Sequence, residues 1–300
     1  MRILIVGAGA TGGAFGTRLI EAGRDVTFLV RPGRAAALRR DGLRFTDSSG
    51  TRTHEAAVLT AGELAAAPQT FDLVVLTVKA PALEAAIADL RLAVGEGTVV
   101  LPILNGMAHL NRLEAEFGPG VLGALAMIVA TLDDGAVVQM TDWSAITIGD
   151  GAPDVARALD VPGIRLTVSD DVAGALWAKW AFIAATGILC CLFRSPVGPV
   201  IAAGGEPQVR AIIAETEAVA AAAGHPVPAE SHERTATTLL DPASAMTSSL
   251  YRDLVAGLPT EAEHILGDLA ARARDLGVAT PLLDLTLVQV RADAFQRAAG

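Results

Sequence analysis

The 300-residue sequence predicts an α/β fold in two parts, a parallel-sheet half followed by an all-helical half. Two observations carry that expectation. Arg2–Val6 is a run of aliphatic and β-branched residues, and Gly7, Gly9 and Gly12 follow it as G-x-G-x-x-G before a helical stretch to about Glu21. The composition then shifts near residue 168: after Ser169-Asp170-Asp171, a helix N-cap cluster, the apolar periodicity is helical almost to the end. Residues 1–168 are expected to form a Rossmann-type dinucleotide-binding domain and 169–300 an all-helical one.

Each glycine of the first turn has a physical reason. Gly7 permits the tight turn off the strand, Gly9 lacks a Cβ that would block a pyrophosphate, and Gly12 lets helix and strand pack closely. Ala8, Ala10 and Thr11 complete the loop, whose backbone N–H groups face the anion. The next buried strand, Asp25–Val30, ends in Arg31 instead of the acidic residue that usually holds the ribose hydroxyls of NAD. A guanidinium suits a 2′-phosphate through a forked pair of hydrogen bonds, so NADP(H) is the expected cofactor. Arg39 and Arg40 are explained by a solvated basic helix face.

Leu43–Phe45 and Thr51–Leu59 read as a hairpin around Asp47-Ser48-Ser49-Gly50. Phe71–Val78 is a buried strand ending in Lys79; residues 80–94 fit an amphipathic helix; Thr98–Leu104 is a strand ending in Asn105-Gly106-Met107. Lys79 and Asn105 thus stand at carboxyl ends of strands, where open α/β sheets bind ligands. Strand-like runs from Val121 to Ile148 are expected to complete the sheet. In the second half, helices are expected over 207–223, 228–240, 247–256, 260–276 and 280–298. Thr260-Glu261-Ala262-Glu263 fits a capping box, and Thr280-Pro281 a cap followed by proline at the first helical position.

Composition narrows the function. A net charge of −10 argues against a nucleic-acid surface. The longest apolar run, Trp180–Phe193, is too short to span a bilayer and reads as a core helix, so no membrane partner is expected. The N-terminus shows no signal-peptide pattern, and Cys190 and Cys191 read as a buried, reduced pair; together these point to the cytoplasm. His54, His109, His225, His232 and His264 show no ligand spacing, so no metal site is expected.

Lys179 interrupts an otherwise apolar helix between Trp177 and Trp180, with Ile183, Gly187 and Cys190 following on its face. Such a lysine either snorkels to water or, desolvated, serves as a general acid toward a carbonyl. Glu261 begins a stripe continued by Ile265, Leu269 and Leu276, which turns its carboxylate inward; as a first-turn acid it also suits the helix dipole. Ser248 and Ser249 open another helix as candidate N-caps.

Taken in order, Gly7-Ala-Gly-Ala-Thr-Gly12, Arg31, Val78-Lys79, Asn105-Gly106-Met107, Leu176-Trp-Ala-Lys179, Ser248-Ser-Leu-Tyr-Arg-Asp253, Thr260–Gly267 and Gly277–Pro281 resemble the ketopantoate reductases (2-dehydropantoate 2-reductases) over nearly the whole chain. The resemblance implies NADPH-dependent reduction of a small 2-oxo acid to the 2-hydroxy acid, as in pantothenate biosynthesis, with an active site in the cleft between the two halves. It implies Lys179 as proton donor, Glu261 orienting the substrate's hydroxyl, Ser249 binding its carboxylate, and Asn105 positioning substrate and nicotinamide. Arg31 and Lys79 would hold the 2′-phosphate, and a homodimer is implied. One departure stands out. The family commonly carries asparagines one and two turns after the lysine, where this chain has Ile183 and Gly187. An apolar wall discriminates poorly for a hydroxyl, so a larger or more apolar 2-oxo acid or ketone is an open alternative. So are another hydroxy acid dehydrogenase of this architecture and a non-catalytic NADP sensor, which would need neither Lys179 nor Glu261.

Overall fold

In the computed structural model, which describes residues 1–299, Ile3, Leu4 and Ile5 have no solvent exposure. The cause is their place in β1 (Arg2–Val6), the middle strand of a five-stranded parallel sheet of order β5-β2-β1-β6-β7. Its partners are β2 (Asp25–Leu29), β5 (Ala57–Leu59), β6 (Leu73–Leu76) and β7 (Val99–Pro102). Successive side chains of β1 enter opposite faces. Ile3 and Ile5 pack with Phe15 and Phe28, while Leu4 and Val6 pack with Leu64, Phe71 and Ile87. Burial on both faces explains why these strands read as unbroken apolar runs.

The helices of this unit are α1 (Ala10–Glu21), α2 (Pro32–Asp41), α3 (Ala61–Ala66), α4 (Leu83–Leu90), α5 (Ala108–Phe117) and α6 (Pro153–Leu159). The helix expected over 80–94 opens with a 3₁₀ turn at Ala80–Ala82 and ends at Leu90. Two further expectations are corrected. The hairpin forms, pairing β3 (Leu43–Asp47) with β4 (Gly50–His54), but the second arm stops at His54. The chain then changes sheets: β5 lies along β2, with Phe28 opposite Val58. The strands after Val121 do not complete the parallel sheet. Here β9 (Ala130–Asp133) and β10 (Ala136–Gln139) join β3 and β4, whereas β8 (Ala124–Met127), β11 (Ala145–Gly149) and β12 (Arg165–Ser169) form a third sheet. The hairpin sheet packs against α1, where Gly13 admits Val137: a Cβ at Gly13 would come within 2.5 Å of the Val137 Cγ2.

The chain divides into two compact units, Met1–Leu104 with His109–Val172, and Asn105–Ala108 with the segment from Ala173 onward. The second unit is helical: α7 (Val172–Phe193), α8 (Val197–Ala202), α9 (Glu206–Ala222), α10 (Ala229–Leu239), α11 (Ser249–Val255), α12 (Asp268–Asp275) and α13 (Pro281–Ala299). As a continuous helix of 22 residues, α7 is by length and composition apolar enough to cross a bilayer, which the shorter run Trp180–Phe193 is not. Most of it is core, however: Ala184, Ala185, Ile188 and Leu189 are fully buried, as are Cys190 and Cys191, both free thiols.

The expected single helix over 260–276 is interrupted by a π-helical turn at Glu263–Gly267, after which α12 continues. The capping box is not formed there. Thr260 Oγ1 accepts only a long bond from the Ala262 N–H at 3.4 Å, and the Glu263 carboxylate instead grips Arg291 with two 2.7 Å bonds. A complete box stands elsewhere, between Thr60 and Glu63 at the start of α3. Leu276 leaves the predicted apolar stripe and is exposed. At the start of α13 the Leu282 and Leu283 N–H groups donate to the Glu215 carboxylate of α9, so the helix is capped from a neighbour as well as opened by Pro281.

Candidate active site

Parallel pairing places the candidates of the first unit. Val6 lies opposite Leu29 on one side and Leu76 on the other, so β2, β1 and β6 end at one sheet edge. Arg31, the Gly7–Gly12 turn and Lys79 leave from those three ends. Gly7 adopts φ +99°, a left-handed conformation that favours glycine, and its N–H donates to the Leu29 carbonyl at 3.0 Å. At Gly12 an added Cβ would fall inside van der Waals contact of the Gly7 carbonyl oxygen and the Thr77 hydroxyl. At Gly9 a Cβ would meet no protein atom within 4 Å. Glycine is therefore required at 7 and 12 by the protein itself, while the space over Gly9 is left clear. Gly9 is also the N-cap of α1 and offers no side-chain cap, and the first turn holds no acidic residue, so its N–H groups suit an anion.

The loop is braced by Thr77 and Arg34, to which the sequence alone assigns no role. Thr77 Oγ1 donates to the carbonyls of Val6 and Gly7 at 2.8 and 3.0 Å. Arg34 Nε donates to the Ala8 carbonyl at 3.1 Å and its Nη1 to the Gly135 carbonyl at 2.9 Å, tying the glycine turn to the β9–β10 turn. Burial, and the charge of Arg44 nearby, lower the Arg34 pKa. Arg31 is the exposed N-cap of α2, close enough to Asp89 to act on its charge; Lys79 is exposed at the start of the 3₁₀ turn. Ala10 and Thr11 open α1 and are half-buried, and Ala8 is buried.

The second unit gathers the other candidates. Lys179 is half-buried on α7, between Trp177 and Trp180. The Arg272 guanidinium lies 5.6 and 5.3 Å from the two indole centroids, and Trp180 Nε1 donates to the Ile265 carbonyl at 2.9 Å. These contacts fix the rotation of α7 against the π-helical turn. Protein crowds the ammonium, and that desolvation pushes the Lys179 pKa down to about 8 against an ordinary 10.5, while the charge of Glu261 works in the opposite direction. The structure thus brings Lys179 and Glu261 within each other's field.

Ile183 and Gly187 follow on the next turns of α7, half-buried and buried respectively. A Cβ at Gly187 would meet only Leu266 Cδ2, at 3.7 Å. Ser248 caps α11, accepting from the Tyr251 N–H at 3.0 Å, and it hydrogen-bonds the Cys190 thiol on α7. Ser249, the first residue of α11, is exposed. Asn105 is half-buried in the segment 105–108, which clusters with this helical unit. The residue beside it, Gly106, takes φ +76° under the ring of His264, to which the sequence alone assigns no role.

Comparison with known proteins gives a consistent picture. The chain matches the family described as "Ketopantoate reductase PanE/ApbA" over residues 3–153 and its "C terminal" counterpart over 171–294. It is similar to an uncharacterized oxidoreductase, YkpB, of Bacillus subtilis (33% identity, spanning 95% of this chain and 96% of that one). It is also similar to the 2-dehydropantoate 2-reductase of Archaeoglobus fulgidus (29% identity, 92% of each chain). D-mandelate dehydrogenase, solved with NADH and anilino(oxo)acetate, shares the fold at a TM-score of 0.89 (24% identity, 99% of each chain).

Proposed function

Because the chain belongs to the ketopantoate reductase family and is an oxidoreductase of that kind, we propose that it reduces a 2-oxo acid to the 2-hydroxy acid with NADPH, Lys179 supplying the proton. The observation that carries this reading is the desolvated ammonium of Lys179 within the field of Glu261. Below a pKa of about 8 the ammonium holds its proton, yet burial has weakened that hold, which is what a general acid at neutral pH needs.

The residues at the sheet edge fit a dinucleotide. The clear space over Gly9, the uncapped N-terminus of α1 and the cations Arg31 and Lys79 supply, respectively, room for a pyrophosphate, N–H donors for it, and partners for a 2′-phosphate. Bound there, NADPH supplies the hydride. The chain's own groups do the rest. Lys179 gives its proton to the carbonyl oxygen as that oxygen gains charge. Glu261 draws the ammonium toward it and orients a substrate hydroxyl. Ser249 donates to the carboxylate, and Asn105 fixes substrate and nicotinamide in register.

The substrate follows from the wall beside Lys179. Ile183 and Gly187 offer no side-chain hydrogen bond, and Gly187 is backed by Leu266. This favours a 2-oxo acid with a larger or more apolar side chain than ketopantoate, with the reaction unchanged. We further infer a cytoplasmic homodimer. Leu285, Val288 and Phe295 are 57%, 64% and 77% exposed on one stripe of α13, an apolar surface suited to a second copy. The test is oxidation of NADPH with ketopantoate beside bulkier 2-oxo acids and plain ketones. Consumption that depends on a 2-oxo acid supports the reading; none across the panel overturns it.

A further inference from the structure

The π-helical turn Glu263–Gly267 is held from two sides. Glu263 grips Arg291 of α13 through both carboxylate oxygens at 2.7 Å, and the Ile265 carbonyl accepts the Trp180 indole N–H of α7 at 2.9 Å. His264 lies between these two anchors, so its own placement is fixed. Its ring hydrogen-bonds the Asn105 backbone. The neighbouring Gly106 passes so close that a Cβ there would stand 3.2 Å from the His264 carbonyl oxygen and 3.3 Å from the ring Cδ2. Gly106 also needs φ +76° to make that pass. π turns are uncommon, and one extra residue per turn re-aims the side chains it carries.

We propose that His264 is a positioning residue, whose ring N–H holds the Asn105 carbonyl and thereby docks the Asn105–Gly106 turn onto the widened turn beside Glu261. The inference rests on the reading that Asn105 and Glu261 address the same substrate. It explains why Asn105, three residues past the end of β7, clusters with the helical unit. Burial lowers the pKa of His264, so at neutral pH the imidazole is uncharged and carries a single N–H, which the Asn105 carbonyl accepts. Asp268 and Glu261, the carboxylates whose charges reach the ring, act against that shift.

The experiment compares His264→Leu, which keeps bulk and removes the donor, with His264→Gln, which restores an N–H. Amide hydrogen exchange is followed over residues 105–107, with kcat and KM for ketopantoate measured in parallel. In the leucine variant exchange at 105–107 should rise about tenfold while the rest of the chain stays protected, the loss expected of one hydrogen bond. Its kcat/KM should fall by about tenfold as well, and the glutamine variant should recover both to within about threefold. Gly106→Ala should free the same turn with His264 intact, which keeps the test open if His264→Leu folds poorly. Equal exchange in the leucine and glutamine variants would overturn the proposal and leave His264 as packing. Should the wild type reduce no 2-oxo acid while the exchange pattern appears, the docking role stands and the proposed reaction falls.

Discussion

Replacing Lys179 by Met separates the two costs that the site combines. The substitution keeps an unbranched apolar stem and removes the ammonium. A pKa brought from 10.5 to about 8, burial outweighing the opposing charge of Glu261, corresponds to a net of about 3 kcal/mol against the charged form. The direction with pH is fixed. Below pH about 8 folded and unfolded chains both carry the proton, so the full penalty falls on the folded state. From about 8 to 10.5 the folded protein releases its proton first, and wild-type stability recovers as pH rises. That figure is already net of the attraction to Glu261, so removing the ammonium should stabilise the folded protein by about 3 kcal/mol at neutral pH. Thermal unfolding of wild type and Lys179→Met, measured from neutral pH to above 9, should show the variant ahead at the lower end and the gap closing upward. Turnover with a 2-oxo acid should fall at least about a hundredfold, with NADPH affinity held within about twofold, since the changed residue lies outside the groups proposed to bind the dinucleotide. A variant that reduces substrate at the wild-type rate, or that is less stable at neutral pH than wild type, would refute the reasoning.

Two further outcomes follow from the sheet edge. Gly12→Ala places a methyl against the Gly7 carbonyl and the Thr77 hydroxyl; it should cost about 1–3 kcal/mol in unfolding free energy and weaken NADPH at least about tenfold in a binding titration. Arg31→Ala should weaken NADPH by about ten- to a hundredfold, the worth of charge-assisted bonds to one phosphate, and leave NADH within about twofold. Equal losses for the two dinucleotides would remove Arg31 from any 2′-phosphate site.

What the sequence disclosed was what is decided locally. Gly7 and Gly12 are demanded by a positive φ and by contact with atoms a few residues away or on an adjacent strand, so the turn was legible. Burial of β1 on both faces left an unbroken apolar run, which reads directly as a parallel strand. The smaller sheets were not legible because their pairings are remote: Phe45 lies beside Val137, and Ala145 beside both Met127 and Arg165. Nothing in a local run of alternating residues says which distant strand will accept its hydrogen bonds. Arg39 and Arg40 form exposed pairs with Glu63 and Asp41, as a solvated basic face should, and Arg34 was hidden among them although it grips the glycine turn. His264 escaped for a related reason. Its aim depends on a π turn, and that turn depends on Glu263 finding Arg291 and on Trp180 finding Ile265. The sequence pattern of 260–276 favoured a plain helix with a capping box; tertiary partners took the capping carboxylate away.

The central claim is tested most directly by product stoichiometry in a single reaction vessel. Wild-type protein, NADPH and one 2-oxo acid are mixed, the loss of reduced nicotinamide is followed by absorbance, and the organic product is identified by NMR. One 2-hydroxy acid should form for each NADPH consumed, faster for an apolar 2-oxo acid than for ketopantoate. NADPH that binds but is not consumed, or is consumed without a 2-hydroxy acid appearing, would contradict it.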